Sequence, residues 1–132
     1  MLKVLYIYRH HDMGYSIGRV FKPIEEEMRK YCEVDAVYLP VPNYSLTGLW
    51  KDIRTARKAV KQKHYDVVHI TGAEHYLIPF LKKQNVVVTV HDMQSLYIEK
   101  RSFRSWLKKQ LFVKSLKNAP CLTFISNSTK DE

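Results

Sequence analysis

A histidine and an aspartate directly follow the most apolar run of this chain. Residues 86–90 are four valines and one threonine, and His91 and Asp92 come next. Val and Thr side chains suit a pleated strand, and a run that is apolar without alternation indicates a strand covered on both faces, as in a parallel sheet. Ligands of such sheets bind beyond the carboxyl ends of the strands. His91 and Asp92 are therefore predicted to lie where substrate chemistry takes place.

Two further loops carry residues that should reach the same edge of the sheet. Met13 and Gly14 follow the first apolar run and precede a predicted helix, and Gly72 follows the third run. A glycine at a helix start lets the backbone approach a ligand, and the free N–H groups there carry about half a positive charge, which suits phosphate. Gly14 and Gly18 do not complete a dinucleotide-binding fingerprint. The alternative that Gly14 only serves a tight turn therefore stays open.

Histidines in these loops raise the question of a metal site. Imidazole and carboxylate groups are common ligands of zinc and iron. The candidates lack the i, i+4 or short-loop spacing of recognisable metal sites, so no metal is predicted. His69 falls inside a predicted strand and is expected to be a hydrogen-bonded core residue, whereas His64 is expected in solvent. The candidate ligands are His10, His11, His75, His91, Asp12 and Asp92.

Short apolar runs alternate with longer amphipathic runs along the whole chain. This succession predicts right-handed βαβ units and an α/β, Rossmann-like parallel sheet with helices on both faces. The 132 residues, of which 45% are hydrophobic, suit one domain and exclude wholesale disorder. Cys32 and Cys121 match no metal or redox spacing, and the sequence shows no secretory signal or membrane span, so a cytoplasmic protein with reduced thiols is expected. The predicted strands cover residues 2–8, 34–39, 66–71, 86–91 and 121–126, and the predicted helices cover residues 16–31, 48–63, 73–83 and 102–118.

Four segments, taken in order, resemble the amino-terminal half of glycosyltransferase family 4 enzymes, which have the GT-B architecture. They are the glycine loop at 13–19, the strand and loop at 66–72, the strand ending in His-Asp at 87–92, and the strand-to-helix turn at 124–130. The resemblance covers nearly the whole chain. One departure is Met13, because the family often has two adjacent glycines in this loop and Met13 takes the first place. This departure bears on how closely the backbone approaches the donor phosphates.

The resemblance implies a retaining, hexosyltransferase-like enzyme. Such an enzyme moves a sugar from a nucleotide-sugar donor to a glycan, a lipid-linked acceptor or a cell-surface polymer. It also implies that His91 is the catalytic residue and holds the donor sugar. Fixed N–H dipoles can stabilise the leaving diphosphate without a metal, so no cofactor is expected besides the donor as substrate. The residues that it implies for substrate and donor binding are Gly14, Met13, Asp92 and Gly72.

Residues 1–132 are then expected to form a single acceptor-side domain of a longer protein. The last six residues are typical of the opening of a helix with Ser128 as its N-cap, which indicates that the chain continues. The nucleotide-sugar domain of GT-B enzymes is absent after Glu132. This fragment alone is therefore expected to bind the acceptor at best and to catalyse nothing.

The formal net charge of +9 and the pI near 9.6 indicate an anionic partner. Basic residues crowd the predicted helices 48–63 and 102–118. In the second helix, Leu107, Leu111 and Phe112 have helical spacing and are expected to pack on the sheet. Trp106 falls at the edge of this stripe among cations, which suits a membrane interface. The hypothesis is peripheral attachment to the inner face of the membrane through Arg104, Trp106, Lys108 and Lys109.

Two alternatives to membrane attachment stay open. The basic residues can serve solubility on a solvated face. The chain can also be a non-catalytic α/β module that binds nucleic acid or another polyanion. Against such a module, the basic residues are spread over two helices that need not share a face of the sheet, and His91 and Asp92 stay unexplained. A nucleic-acid partner is therefore not favoured.

Overall fold

Five parallel strands form the centre of the molecule. The computed structural model describes residues 1–13, 15–43, 45–91 and 102–131, and of residue 108 the backbone only. The predicted site residues Gly14 and Asp92 lie outside the described residues. The sheet has the order β2-β1-β3-β4-β5, so the first strand lies inside and the chain proceeds outward on both sides of it. The strands are β1 (Lys3–Tyr8), β2 (Glu33–Tyr38), β3 (Val67–Ile70), β4 (Val86–Val90) and β5 (Cys121–Phe124).

Helices cover both faces of this sheet, which confirms the predicted α/β, Rossmann-like class. On one face, Tyr6 and Tyr8 of β1 pack with Ile17 and Phe21 of the first helix. On the other face, Leu5 and Ile7 of β1 pack in a larger cluster with the second helix, the 3₁₀ helix and the third helix. The helices are α1 (Tyr15–Met28), α2 (Leu46–Gln62), a 3₁₀ helix (His75–Phe80), α3 (Phe103–Lys117) and α4 (Asn127–Asp131).

The segment between β3 and β4 differs from the prediction. An α-helix was expected over 73–83, but the structure has a 3₁₀ helix over His75–Phe80. The N–H groups of Leu77 and Leu81 donate to the carbonyls of Glu74 and Ile78, three residues back, at 3.1 Å. Pro79 has no N–H to give to a carbonyl four residues back, which favours the tighter and shorter helix.

Serines set the starts of two helices. The Ser45 hydroxyl accepts a hydrogen bond from the Gly48 N–H at 3.1 Å and caps α2, which therefore begins two residues before the predicted start. At the last helix, the Ser126 hydroxyl accepts from the Thr129 N–H at 3.2 Å. The predicted N-cap, Ser128, is therefore wrong and lies inside α4, because Ser126 already supplies the acceptor.

The two basic helices share one face of the sheet. Leu49 and Ile53 of α2 and Phe112 of α3 belong to the same core cluster, and Ile17 and Phe21 of α1 belong to the other. Helices α2 and α3 both contact the 3₁₀ helix, which lies between them. The two basic helices therefore do not lie on different faces of the sheet, and this objection to a polyanion-binding module is wrong. Among the described helices, none has the length and apolar character that a membrane crossing needs.

Candidate functional site

His91 lies directly beyond β4, at the carboxyl edge of the sheet. Its Nε2 is 2.7 Å from the carbonyl oxygen of Thr71, and its ring meets that of Phe21 edge to face, with centroids 6.0 Å apart. A carbonyl oxygen only accepts, so Nε2 carries the proton in this hydrogen bond. In the neutral ring, Nδ1 is then the acceptor. The half-buried imidazole is thus held in one orientation and one tautomer at the place that the sequence predicts.

Thr71 connects this histidine to the centre of the sheet. Its hydroxyl donates to the Ile7 carbonyl at 2.9 Å, its N–H donates to the same carbonyl at 3.2 Å, and its own carbonyl accepts from His91. Thr71 is fully buried, so these bonds form without competition from water. The threonine fixes the ends of β1, β3 and β4 relative to one another. This role is not predictable from the sequence, because a single threonine after an apolar strand carries no local signal.

Gly72 lies next to a largely buried ion pair. The Arg9 Nε donates to the Glu74 Oε1 at 2.6 Å, and the Glu74 side chain is only 3% exposed. A Cβ at position 72 would lie 2.7 Å from the Glu74 Oε2, 3.2 Å from the Ile17 Cδ1 and 3.3 Å from the Arg9 Nε. The glycine is buried, and it leaves the room that this ion pair needs beside the start of α1.

The loop after β1 forms a tight turn beside the site. The Met13 N–H donates to the His10 carbonyl at 2.9 Å, and the Asp12 N–H donates to the His10 Nδ1 at 3.1 Å. The His11 ring stacks on Tyr38 at the end of β2, with the ring centroids 4.1 Å apart. Met13 is half-buried and adjoins the start of α1. The turn is therefore held by hydrogen bonds within residues 10–13.

The described histidines do not converge. No group of three or more His, Cys, Asp or Glu residues in the described part of the chain is placed to hold a metal ion. The His75 ring is buried against Phe112, with centroids 6.0 Å apart, and burial lowers its pKa to about 4. His64 has a side chain that is 84% exposed, as predicted.

His69 is hydrogen-bonded within the sheet, as predicted. Its Nε2 lies 2.8 Å from the Thr89 hydroxyl, and its ring packs between Tyr6 and Phe21. Burial is the main reason why the pKa of His69 is lowered to about 4, with a smaller contribution from His91. At neutral pH this ring is therefore uncharged and supports Phe21, which in turn contacts His91.

The residues of this edge fall within a recognised family. A family model described as Glycosyltransferase Family 4 matches residues 10–132, which includes the loops after β1, β3, β4 and β5. The chain belongs to glycosyltransferase family 4. A comparison with curated protein sequences gave no significant match. Membership of this family indicates glycosyl transfer in general.

A buried acid of this family 4 domain was missed from the sequence. Asp52 lies on α2, where its carboxylate accepts from the Tyr76 hydroxyl at 2.9 Å and from the Val41 N–H at 3.3 Å. Burial raises the pKa of Asp52. The signal was present in the pattern, since Asp52 falls in the apolar stripe of α2 with Leu49 and Ala56. Asp52 joins α2 to the 3₁₀ helix and to the loop after β2.

The membrane candidates of the family 4 domain lie on α3. Arg104, Trp106 and Lys109 are exposed, and Lys108 belongs to the same helix. The Phe103 ring stacks on Trp106, with the centroids 5.9 Å apart. Phe112 is buried, but it packs largely on the 3₁₀ helix, where its ring is 5.5 Å from that of Tyr76. The predicted packing of α3 on the sheet is therefore partly indirect, through the 3₁₀ helix.

Proposed function

We propose that this domain is the acceptor-side half of a retaining, metal-independent glycosyltransferase. The enzyme moves a hexosyl group from a nucleotide-sugar donor to a glycan, a lipid-linked acceptor or a cell-surface polymer. The observation that carries the proposal is the placement of His91 beyond β4, with its ring fixed by Thr71 and Phe21. Membership of glycosyltransferase family 4 supports the general reaction.

In this proposal, His91 binds the donor sugar in the cleft. With Nε2 donating to Thr71, the neutral ring offers Nδ1 as an acceptor for a sugar hydroxyl. A ring that is already oriented loses little freedom when the sugar binds, and fixed hydrogen-bonding groups are most effective where charge develops in the transition state. Gly14, Met13, Gly72 and Asp92 complete the donor site at the loops around α1, β3 and β4. The N–H groups at the start of α1 stabilise the leaving diphosphate without a metal or another cofactor.

A second, nucleotide-binding domain completes the enzyme in this proposal. Residues 1–132 bind the acceptor, and donor selection belongs to the second domain. The enzyme works in the cytoplasm at the inner face of the membrane, where lipid-linked and surface-polymer acceptors are built. Without its second domain, this fragment is inactive in transfer.

The experiment measures transfer by the protein that the whole reading frame encodes. A panel of nucleotide sugars is supplied with membrane extract as acceptor, with and without a metal chelator. We expect His91→Ala to lower kcat by more than roughly 100-fold, because it removes an oriented polar group from the site. The matched control is His64→Ala, since His64 is an exposed histidine far from this edge in the fold. Unchanged transfer by His91→Ala, or loss of transfer on chelation, would contradict the proposal.

A second candidate is a non-catalytic module that binds polyanions. One observation favours it, because the basic helices α2 and α3 share a face of the sheet. Salt-sensitive binding to duplex nucleic acid, unaffected by His91→Ala or Gly14→Ala, would support this candidate. The transferase proposal instead expects both changes to reduce transfer by the full-length protein. The transferase is preferred because it also accounts for the contacts of Thr71 and Phe21 that fix the His91 ring.

A further inference from the structure

The positive charge of the molecule is concentrated on one face. Helices α2 and α3 contain one acidic residue between them, Asp52, and it is buried. Their exposed basic side chains form no ion pair with any acid in the described part of the chain. These side chains, which we call the basic face, are Lys51, Arg54, Arg57, Lys58 and Lys61 of α2 and Arg104, Lys109, Lys114 and Lys117 of α3.

The opposite face of the sheet shows a different charge pattern. Helix α1 carries Glu25, Glu26 and Glu27 in its last turns. Lys22 and Arg29 both pair with Glu25, at 3.4 Å and 2.6 Å. Basic side chains on this side are therefore largely compensated by acids. The excess behind the formal charge of +9 belongs in large part to the basic face.

Exposed aromatic rings lie among these cations. Trp50 at the start of α2 is 60% exposed, Trp106 on α3 is 56% exposed, and Phe103 is 75% exposed. A shallow, solvent-open depression on α2 is lined by Trp50 and by cations that include Arg54 and Arg57. Tryptophan has a large apolar ring with one polar N–H, and it is favoured where an apolar phase meets water. Cations beside such rings bind anionic headgroups while the rings enter the interface.

We propose that the basic face docks on an anionic lipid bilayer. Helices α2 and α3 lie on one face of the sheet with the 3₁₀ helix between them, so their cations form a broad layer and not a single projecting helix. A broad layer with exposed indoles matches a planar membrane, whereas sequence-reading folds insert one helix or strand pair into a groove. Docking needs no turnover, so it is tested independently of sugar transfer. It extends the predicted attachment from α3 alone to α2.

Docking through the basic face determines how the candidate site is oriented relative to the membrane. The carboxyl edge of the sheet lies at the strand ends, at right angles to the basic face. When the basic face lies on the membrane, the edge with His91 opens sideways along the bilayer surface. A lipid-linked acceptor then reaches the site with its tail still in the membrane. This last step rests on the proposed function, whereas the docking itself does not.

The experiment is co-sedimentation of the chain with vesicles. Vesicles of mixed phosphatidylcholine and phosphatidylglycerol are compared with vesicles of phosphatidylcholine alone, at low salt and at roughly 0.5 M salt. We expect binding to the anionic vesicles only, and release by salt. The double variant Arg57→Glu/Lys58→Glu should weaken binding by more than roughly 30-fold, since two cations near the surface become anions. Failure to sediment with anionic vesicles at low salt would overturn the proposal.

Matched controls separate this face from general charge. Arg19→Glu/Lys30→Glu makes the same charge change at exposed positions of α1 and the turn after it, and it should leave most of the binding intact. Trp50→Ala should weaken binding several-fold, while Tyr31→Ala, at an aromatic residue that is 68% exposed, should not. Equal losses in both double variants would overturn the proposal. Tighter binding to duplex DNA than to anionic vesicles would also overturn it and would support the polyanion-binding module.

Discussion

Two glycines of this domain have different surroundings, so the same substitution should change stability in opposite directions. At Gly72, a methyl group would come within 2.7 Å of the buried Glu74 carboxylate, which pairs with Arg9. At Gly18, inside α1, nothing lies within 4 Å of the added atom. Gly72→Ala should therefore lower the free energy of unfolding by about 1 to 3 kcal/mol through overpacking. Gly18→Ala should raise it by up to about 1 kcal/mol, because alanine favours the helix.

Urea denaturation of both variants measures this difference. Each variant adds the same single methyl group, so the contrast reports the surroundings and not the residue type. A stabilising Gly72→Ala would show that the Arg9–Glu74 pair moves aside without cost. Packing would then not explain the glycine at position 72, and close approach of a ligand to the backbone would be the remaining explanation.

His75 makes the stability of the domain depend on pH. Burial lowers the pKa of His75 from 6.5 to about 4. The unfolded chain takes up a proton as the pH falls below 6.5, while the folded ring stays neutral, so stability that is complete above pH 6.5 is lost progressively toward pH 4. His75→Leu should reduce the slope of the unfolding free energy against pH by up to about 1.4 kcal/mol per pH unit. It should also raise stability at pH 7, because neither ring nitrogen of His75 has a hydrogen-bond partner among the described residues.

The control for this prediction is His64→Leu. The His64 side chain is 84% exposed, so its replacement should leave the slope nearly unchanged. His69, whose pKa is also lowered to about 4, should preserve part of the slope in the His75 variant. Denaturant unfolding at several pH values between 4 and 7 gives the slopes, and identical slopes in the wild type and His75→Leu would contradict the assignment.

At the scale of elements, the sequence predicted what local patterns determine. All five strands were predicted to within two residues at each end, because buried parallel strands are short β-branched or apolar runs. The same alternation predicted the sheet class. It did not predict the 3₁₀ helix, since the periodicity over 73–83 resembles that of an α-helix until Pro79 removes a donor.

The location of a candidate site residue was predictable only where the residue directly follows a strand. His91 and Gly72 were placed correctly at the carboxyl edge, because each comes directly after an apolar run. The supporting contacts join residues far apart in the chain. Arg9 and Glu74 are separated by 65 positions, and Tyr76 and Asp52 by 24, so no local pattern brings them together. These pairs follow from the strand order, which a single sequence does not specify.

At the scale of the whole molecule, the clustered positive charge lowers stability while it favours binding of an anionic partner. The cations of α2 repel one another at helical spacing, as in the pairs Arg54 with Lys58 and Arg57 with Lys61. Like charges four residues apart cost a few tenths of a kcal/mol each. A surface selected only for stability would alternate signs, as α1 does with Lys22, Glu25 and Arg29. The uniform sign on α2 and α3 is therefore consistent with a binding role that opposes stability.

This opposition predicts that salt stabilises the domain. Screening weakens repulsion on the basic face, so the free energy of unfolding should rise by about 1 kcal/mol between roughly 20 mM and 0.3 M sodium chloride. Arg57→Gln should remove part of this rise, and Arg57→Glu should remove more of it. Arg57→Glu should also increase the free energy of unfolding at low salt by several tenths of a kcal/mol, because a glutamate four residues before Lys61 attracts it. Urea unfolding at each salt concentration tests the series. If salt lowers the stability instead, attractive pairs such as Lys63 with Asp35 outweigh the repulsion on α2. A variant that gains stability at low salt and loses vesicle binding would show that the same arginine is kept for docking and opposes folding.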